Sequence, residues 1–276
     1  MSESEPAREP YDPAPASDAL LAARRACRPL DGFPGDLPAT LEAAYAVQAR
    51  SRAMWGDTVV GYKVGGIPAA FRESYGGTWL AGPVFQRSLR RIDDGGTCEV
   101  TVYPGGFAAY EAEYVFRVGG LTSLRGKVAT LDEAAEHIEA VHIGAEIASS
   151  PMALINAIGP GAIISDFGNN AGVVVGPEVD RDVIHRLGEI DVAVLIDGEP
   201  IGSGPARPAE GGPLDALRFF LDHVASGGAG DVPDALWLSS GAVTGVHASR
   251  AGTTGEIVFD GLGRFTLKMV PRRPET

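Results

Sequence analysis

The 37 glycines scattered through this 276-residue chain, together with 20 prolines, limit its fold more than any other feature of the sequence. They follow no G-X-Y period, so a collagen helix is excluded. They interrupt apolar runs instead, which is the pattern of many short strands joined by tight turns. A chain of this length buries roughly 70–75% of its unfolded surface and needs neither disulfide nor metal to fold. Long helices alternating regularly with strands are missing, which disfavours a doubly wound sheet or a TIM barrel. The fold class expected from the residues is α+β, with a helical N-terminal part attached to a twisted, mostly β body.

Residues 1–16 read as a disordered, proline-rich tail without an apolar period. Residues 17–56 read as a helical N-terminal segment of the same domain, and residues 57–276 as the β-rich body. Ser17 or Asp18 is placed to cap a helix to about Arg25, and a second helix is expected from Asp36 or Leu37 to about Met54, with Pro38 in its first turn. Thr130–His142 reads as a helix opened by a Thr130/Glu133 capping box, and Pro213–Val224 as a helix with Leu214, Leu217, Phe220 and Leu221 on one face. Strands are expected at Thr58–Val64, Cys98–Val102, Tyr110–Val118, Gly172–Gly176, Ile190–Ile196, Leu236–Ser239, Ala242–Val243, Glu256–Phe259 and Arg264–Met269.

The formal charge of −13 and the lack of clustered lysine or arginine argue against nucleic acid as a partner. No apolar stretch approaches the roughly 20 residues that span a bilayer, and the first residues contain no signal-type apolar core. A cytoplasmic protein without a membrane partner is expected. Cys27 and Cys98 show no C-x-x-C spacing and read as free thiols of a reducing compartment.

The chemistry concentrates in a few segments. In Tyr110–Val118, alternation puts Tyr110, Ala112, Tyr114 and Phe116 on one face and Glu111 and Glu113 on the other, with Cβ atoms roughly 6–7 Å apart. Two like charges among apolar and aromatic flanks repel, and a shared proton or a hard divalent cation offsets that cost. A solvated face of an edge strand is the competing reading. Glu146, isolated between Ala145 and Ile147, is either a third ligand or half of a surface ion pair. His142, four residues earlier, reads most simply as a packed or surface imidazole.

Lys63, inside Gly61-Tyr62-Lys63-Val64-Gly65-Gly66, either meets a buried anion as an acid/base or stands at a strand edge. The glycines around it match no phosphate-loop template. Asp166, in Ser165-Asp166-Phe167-Gly168-Asn169-Asn170, either orients a water or ligand or forms an Asx-turn. Ser239-Ser240-Gly241 is a hydroxyl-rich strand end suited to a substrate carboxylate; neither serine has the context of a nucleophile.

Taken in series, these segments resemble the fumarylacetoacetate hydrolase superfamily, and within it the branch of 2-keto-4-pentenoate hydratases and 4-oxalocrotonate decarboxylases. The resemblance rests on GYKVGG at 61–66, YEAEYVFRV at 110–118, GAEIASS at 144–150, DFGNNAGVVVG at 166–176, GSG at 202–204, GGPLDALRFFLDHV at 211–224 and LSSGAVTG at 238–245. It implies a mixed β-barrel or roll with N-terminal helices, and Mg²⁺ or Mn²⁺ held by Glu111, Glu113 and Glu146. It also implies Lys63 and Asp166 as catalytic residues, Ser239, Ser240 and Gly241 as substrate-binding residues, and a homo-oligomer.

The implied activity is a metal-dependent hydratase on a small 2-hydroxy-dienoic or 2-oxo-enoic acid. The alternatives are a decarboxylase of a 2-oxo-dicarboxylate of the 4-oxalocrotonate type, an acylpyruvate-type C–C hydrolase, and a non-catalytic acid-binding or specialised biosynthetic relative. Residues 1–110 contain no histidine, which counts against the hydrolase, because hydrolases of the superfamily commonly use an N-terminal one. Two departures stand out. Ser149, Ser150 and Pro151 occupy the place of the branch's usual Asp-Ser-Arg, and the run Pro208–Gly212 is longer than the resemblance leads one to expect.

Overall fold

A computed structural model gives the structure of the chain, described here for residues 10–205 and 211–275. Most of the expected tail, residues 1–9, and Pro208–Glu210 of the long glycine-flanked run lie outside the described residues.

The N-terminal helices are α1 (Ala14–Ala26) and α2 (Leu41–Trp55). α1 begins at Ala14 rather than Ser17 or Asp18. Pro15 occupies its first turn, where the missing N–H has no intrahelical partner, and Asp12 Oδ1 accepts from Ala14 N at 2.9 Å. α2 begins at Leu41 rather than Asp36 or Leu37, because Thr40 is the cap: its Oγ1 accepts from Ala43 N at 3.2 Å. Pro38 sits in the loop before it, its carbonyl accepting from Tyr75 Oη at 2.8 Å. Shorter helices are α3 (Ala69–Tyr75), α4 (Leu131–Glu136), α5 (Ile155–Ile158) and α6 (Pro160–Ser165); α7 (Gly212–Ala225) matches its expected amphipathic face.

Among the described residues the strands are, in chain order, β1 (Val59–Gly66), β2 (Trp79–Phe85), β3 (Leu89–Arg91), β4 (Thr97–Val102), β5 (Phe107–Val118), β6 (Ile138–Ser150), β7 (Asn170–Val179), β8 (Asp191–Ile196), β9 (Glu199–Pro205), β10 (Leu236–Ser239), β11 (His247–Ala248), β12 (Thr254–Phe259) and β13 (Gly263–Pro271). An eight-stranded mixed sheet has the order β2-β1-β10-β5-β6-β7-β3, with β11 also pairing β5, and a five-stranded sheet runs β4-β13-β12-β8-β9. The α+β class and the curled mixed sheet agree with the sequence-based expectation.

The helix expected over Thr130–His142 is the main departure. Its capping box is present, Thr130 accepting from Glu133 N at 3.1 Å and Glu133 from Thr130 N at 3.1 Å, but the helix ends at Glu136. From Ile138 onward the chain is strand, paired with β5 along nearly its whole length from Phe107↔Ser150 to Val118↔Ile138. A short local helix signal yields to that long ladder, which also buries Ile138, Val141 and Ile143. Ala242–Val243 is not a strand, although Val243 N still bonds Ala112 O at 2.9 Å beside β5.

The main core lies against the face of the large sheet formed by Tyr62, Leu238, Tyr110, Ala112, Tyr114, Phe116, Ile143 and Ala145, and includes Ile257, Phe259 and Leu267 of the smaller sheet. A second apolar cluster joins Leu20, Ala44 and Val47 of the N-terminal helices to Leu80 and Ile163. Among the described residues no helix is long and apolar enough to cross a membrane. Cys27 and Cys98 are free thiols.

Candidate metal centre

Antiparallel pairing of β5 with β6 sets Glu111 opposite Glu146 and Glu113 opposite Gly144. The strand period already puts Glu111 and Glu113 on one face, and the cross-strand pair adds Glu146 to it. One oxygen from each carboxylate lies within 4.8 Å of the others. The three side chains are buried, at 7%, 0% and 0% exposure, which removes the solvated-edge reading. Gly144 lets β6 pass close to its neighbours: a Cβ there would meet Val115 Cγ2 and Val174 O, each at 2.5 Å.

Neighbouring strands supply the rest of this face. Lys63 of β1 pairs with Ser239 of β10, and Ser239 in turn with Val115 of β5. Lys63 Nζ lies 3.1 Å from Glu146 Oε2. Ser239 Oγ donates to Glu113 Oε2 at 2.5 Å, and Gly241 N donates to the same oxygen at 2.9 Å. Asn170 Nδ2 donates to Glu146 Oε1 at 2.9 Å. Glu113 Oε1 and Glu146 Oε2 are buried without a hydrogen bond, the lysine's contact with the latter being an ion pair only.

The electrostatics follow from burial. Desolvation pushes Glu111 up to about 8, with Glu146 adding repulsion and Lys63 opposing it. Glu113 is held well above the carboxylate range by burial and by the other two glutamates, and Glu146 is raised by burial against the pull of Lys63 and Asn170. Burial alone would lower the Lys63 ammonium, but Glu146, Glu111 and Glu113 outweigh it and raise its pKa. Three carboxylates against one ammonium leave a deficit of positive charge. An oxygen-only donor set, with Glu113 Oε1 buried and unpartnered and Glu146 Oε2 met only by the Lys63 ammonium, fits a hard divalent cation, which prefers carboxylate ligands.

A cavity of about 520 Å³ opens over Glu111 and Lys63. Its walls include Leu80, Ile163 and Val246, with Asn156 and Asn169 as polar members. The Asn169 side chain is buried with Oδ1 unpaired, so it can accept from a bound molecule. The segment before it is unusual: Phe167, Gly168 and Asn169 all have left-handed φ, at 55°, 71° and 62°. At Gly168 the conformation demands glycine, because a Cβ would meet Gly82 Cα at 2.9 Å and Lys63 Cδ at 3.1 Å.

The other residues expected at the site fall in different places. Asp166 is buried and does not line the cavity. Its Oδ1 accepts from Arg24 Nε and its Oδ2 from Ser150 Oγ at 2.5 Å, so its partners are a guanidinium and a serine rather than a free water position. Ser239 and Gly241 hold Glu113. Ser240 Oγ instead closes on Tyr114 O at 2.9 Å, away from the carboxylates. His142 is on the carboxylate face, but its Nδ1 is engaged with Gly176 O at 2.9 Å and its ring packs edge-on against Trp237.

Sequence reasoning missed Arg24 and Asn170. Arg24 carried no local signal, lying in a helix whose turn repeats Arg24-Arg25, and Asn170 was absorbed into a turn. Pro151 stands where the resemblance suggests arginine. The buried guanidinium comes instead from α1, 3% exposed, and shares Asp166 with Ser150.

Together these elements make a mixed α+β fold of the fumarylacetoacetate hydrolase type, with N-terminal helices and a curled sheet, and one face of that sheet carries a buried acidic triad. Among solved structures the chain is similar to 4-oxalocrotonate decarboxylase from Pseudomonas putida G7 complexed with magnesium and adipate: TM-score 0.75, 19% identity, 92% of this chain and 96% of that one. The same enzyme complexed with calcium and acetate gives TM-score 0.74 at 19% identity, with the same coverage. Fumarylpyruvate hydrolase from Pseudomonas aeruginosa, in complex with Mn²⁺ and pyruvate, gives 0.53 at 18% identity, over 78% of this chain and 91% of that one. No family model and no curated protein matches the sequence.

Proposed function

We propose that this protein is a divalent-metal-dependent lyase acting on a small 2-oxo or 2-hydroxy-dienoic acid. The observation that carries the reading is the convergence of Glu111, Glu113 and Glu146 in a buried site beside Lys63 and an adjoining cavity. These three carboxylates would hold Mg²⁺ or Mn²⁺, and the bound cation supplies Lewis acidity toward the oxygens of the acid. Ser239 and Gly241 fix Glu113, and Asn170 and Lys63 fix Glu146, so these two ligands are oriented before anything binds.

Lys63 lines the cavity beside Glu146, a place from which its ammonium would donate a proton to the dienolate left by bond breaking. Asn169 Oδ1 is available to orient a substrate hydroxyl or a water. Asp166, committed to Arg24 and Ser150, acts by holding the 166–170 segment rather than by meeting substrate.

Two lyase reactions share this machinery. Both place an electron pair on the 2-oxo end of the conjugated acid: hydration then adds water across the alkene, and decarboxylation releases CO₂ from the far end. Decarboxylation is the better supported, because the likeness to 4-oxalocrotonate decarboxylase extends over almost all of both chains. The apolar Leu80, Ile163 and Val246 walls fit it as well, since a carboxylate bound against apolar surface loses hydration that the neutral product does not need. The hydrolase reading is weaker: no histidine is among the residues lining the cavity, and His137 and His142 each bond a backbone carbonyl.

The test is turnover of 4-oxalocrotonate and of 2-hydroxypentadienoate by the full chain, with Mg²⁺ or Mn²⁺ and with chelator, followed by mass spectrometry. Metal-dependent loss of CO₂ is expected. Gain of water would move the assignment to the hydratase, and two shorter acids to the hydrolase. Metal-independent turnover of every acid, or none at all with metal bound, would remove the lyase reading.

A further inference from the structure

We infer that Arg24, in the last turn of the N-terminal helix α1, is a positioning residue for the third carboxylate, acting on Glu146 through the 166–170 segment and Asn170. This rests on the metal-dependent reading above.

The contacts form a continuous chain. Arg24 Nε meets Asp166 Oδ1, and Nη2 donates to Asp166 O at 2.9 Å. Nη1 donates to Asn170 O at 3.1 Å and to Tyr103 Oη at 3.3 Å. One planar fork therefore grips both ends of the segment that contains the left-handed run Phe167–Asn169. The Phe167 and Tyr103 rings lie 5.0 and 5.1 Å from the guanidinium carbon, so the group is packed as well as bonded. From the far end of this segment Asn170 donates to Glu146 Oε1, leaving Glu146 Oε2 toward Lys63.

Two physical features favour a positioning role over simple core packing. A left-handed phenylalanine is costly and persists only where the surroundings over-determine it. The same segment puts Asn169 in the cavity wall and Gly168 against the Lys63 stem, so a shift of it would displace three parts of the site together. Lysine keeps the charge but cannot reproduce the fork, since a single ammonium cannot bridge Asp166 and the Asn170 carbonyl with the same planar geometry.

The experiment is isothermal titration of the full chain with Mn²⁺, for wild type, Arg24→Lys, Asn170→Ala and the double variant, alongside thermal unfolding without metal. Loss of an outer-shell partner costs roughly 10–100-fold in metal affinity. Each single variant is expected to weaken Mn²⁺ about 10-fold or more, and the double variant by clearly less than the product of the two. Asn170→Ala is expected to show its loss with little change in metal-free melting, which a purely structural role would not produce.

Wild-type affinity in either folded single variant, or fully multiplicative losses in the double, would overturn the inference while leaving the metal reading intact. Failure of the wild type itself to bind Mn²⁺ would sink that reading, and this one with it. If Arg24→Lys does not fold, Asn170→Ala still decides: unchanged Mn²⁺ affinity there breaks the link between the segment and Glu146.

Discussion

The two faces of β5 obey opposite rules. One presents Tyr110, Ala112, Tyr114 and Phe116, each fully buried against the core shared with the smaller sheet. The other presents Glu111 and Glu113, buried almost as deeply, where desolvation and mutual repulsion work against the fold. The first face is a source of stability, roughly 25 cal/mol for each Å² of apolar surface removed from water. The second retains groups that are expensive to bury unless something pairs with them. A single strand thus separates folding from chemistry by a rotation of one residue, and opposite responses to substitution on the two faces are the clearest way to test that division.

The largest contrast is expected from Glu146→Ala, which should lower Mn²⁺ affinity at least about 100-fold and remove turnover, as read by calorimetry and assay. On the apolar face, Phe116→Ala should destabilise the protein by about 3–5 kcal/mol in chemical unfolding, while the molecules still folded keep their Mn²⁺ affinity. Equal loss of metal binding in both variants would dissolve the distinction.

Glu113→Gln should do the reverse of Phe116→Ala: stabilise the metal-free protein by about 1–4 kcal/mol at neutral pH and weaken metal binding. A metal-free Glu113→Gln protein less stable than wild type would show that the carboxylate is already well compensated.

Titration sharpens the same comparison. Glu111 has a folded-state pKa of about 8 against an ordinary 4.5, so the folded chain binds more protons than the unfolded one between those values. Metal-free stability should therefore fall as pH rises through that window, and Mn²⁺ binding at pH 7 should release protons, seen as buffer-dependent heats. His223 on α7 supplies the opposite slope. Burial and Arg52 lower it to about 4 from 6.5, so its contribution is present above pH 6.5 and is lost as pH falls toward 4. His223→Asn should remove about 2 kcal/mol of the stability difference between pH 7.5 and 5. A slope unchanged by that substitution would mean the imidazole is not held neutral.

Periodicity alone was enough to read β5, because a half-apolar strand writes its two faces as alternation. Glu111, Glu113 and Lys63 were legible as candidates because charged residues inside apolar or glycine-flanked strands are costly. The helix from Thr130 was misread past Glu136, since its capping box is a local signal while the strand that follows is stabilised by a partner at some distance in the chain. Asp166 was legible as a special residue, but its role was not, because its partner Arg24 lies 142 positions away.

The order of residues by itself determined the alternating faces, the turns and the presence of carboxylates where burial makes them expensive, since these depend on a few neighbouring side chains and backbone angles. Only the tertiary structure decided that Glu146 stands across from Glu111, that Asn170 holds it, and that a guanidinium from the first helix anchors the segment carrying Asn170. The reason is physical: register between strands and contacts across the molecule are set by the summed packing of the whole core, which no short stretch of sequence contains.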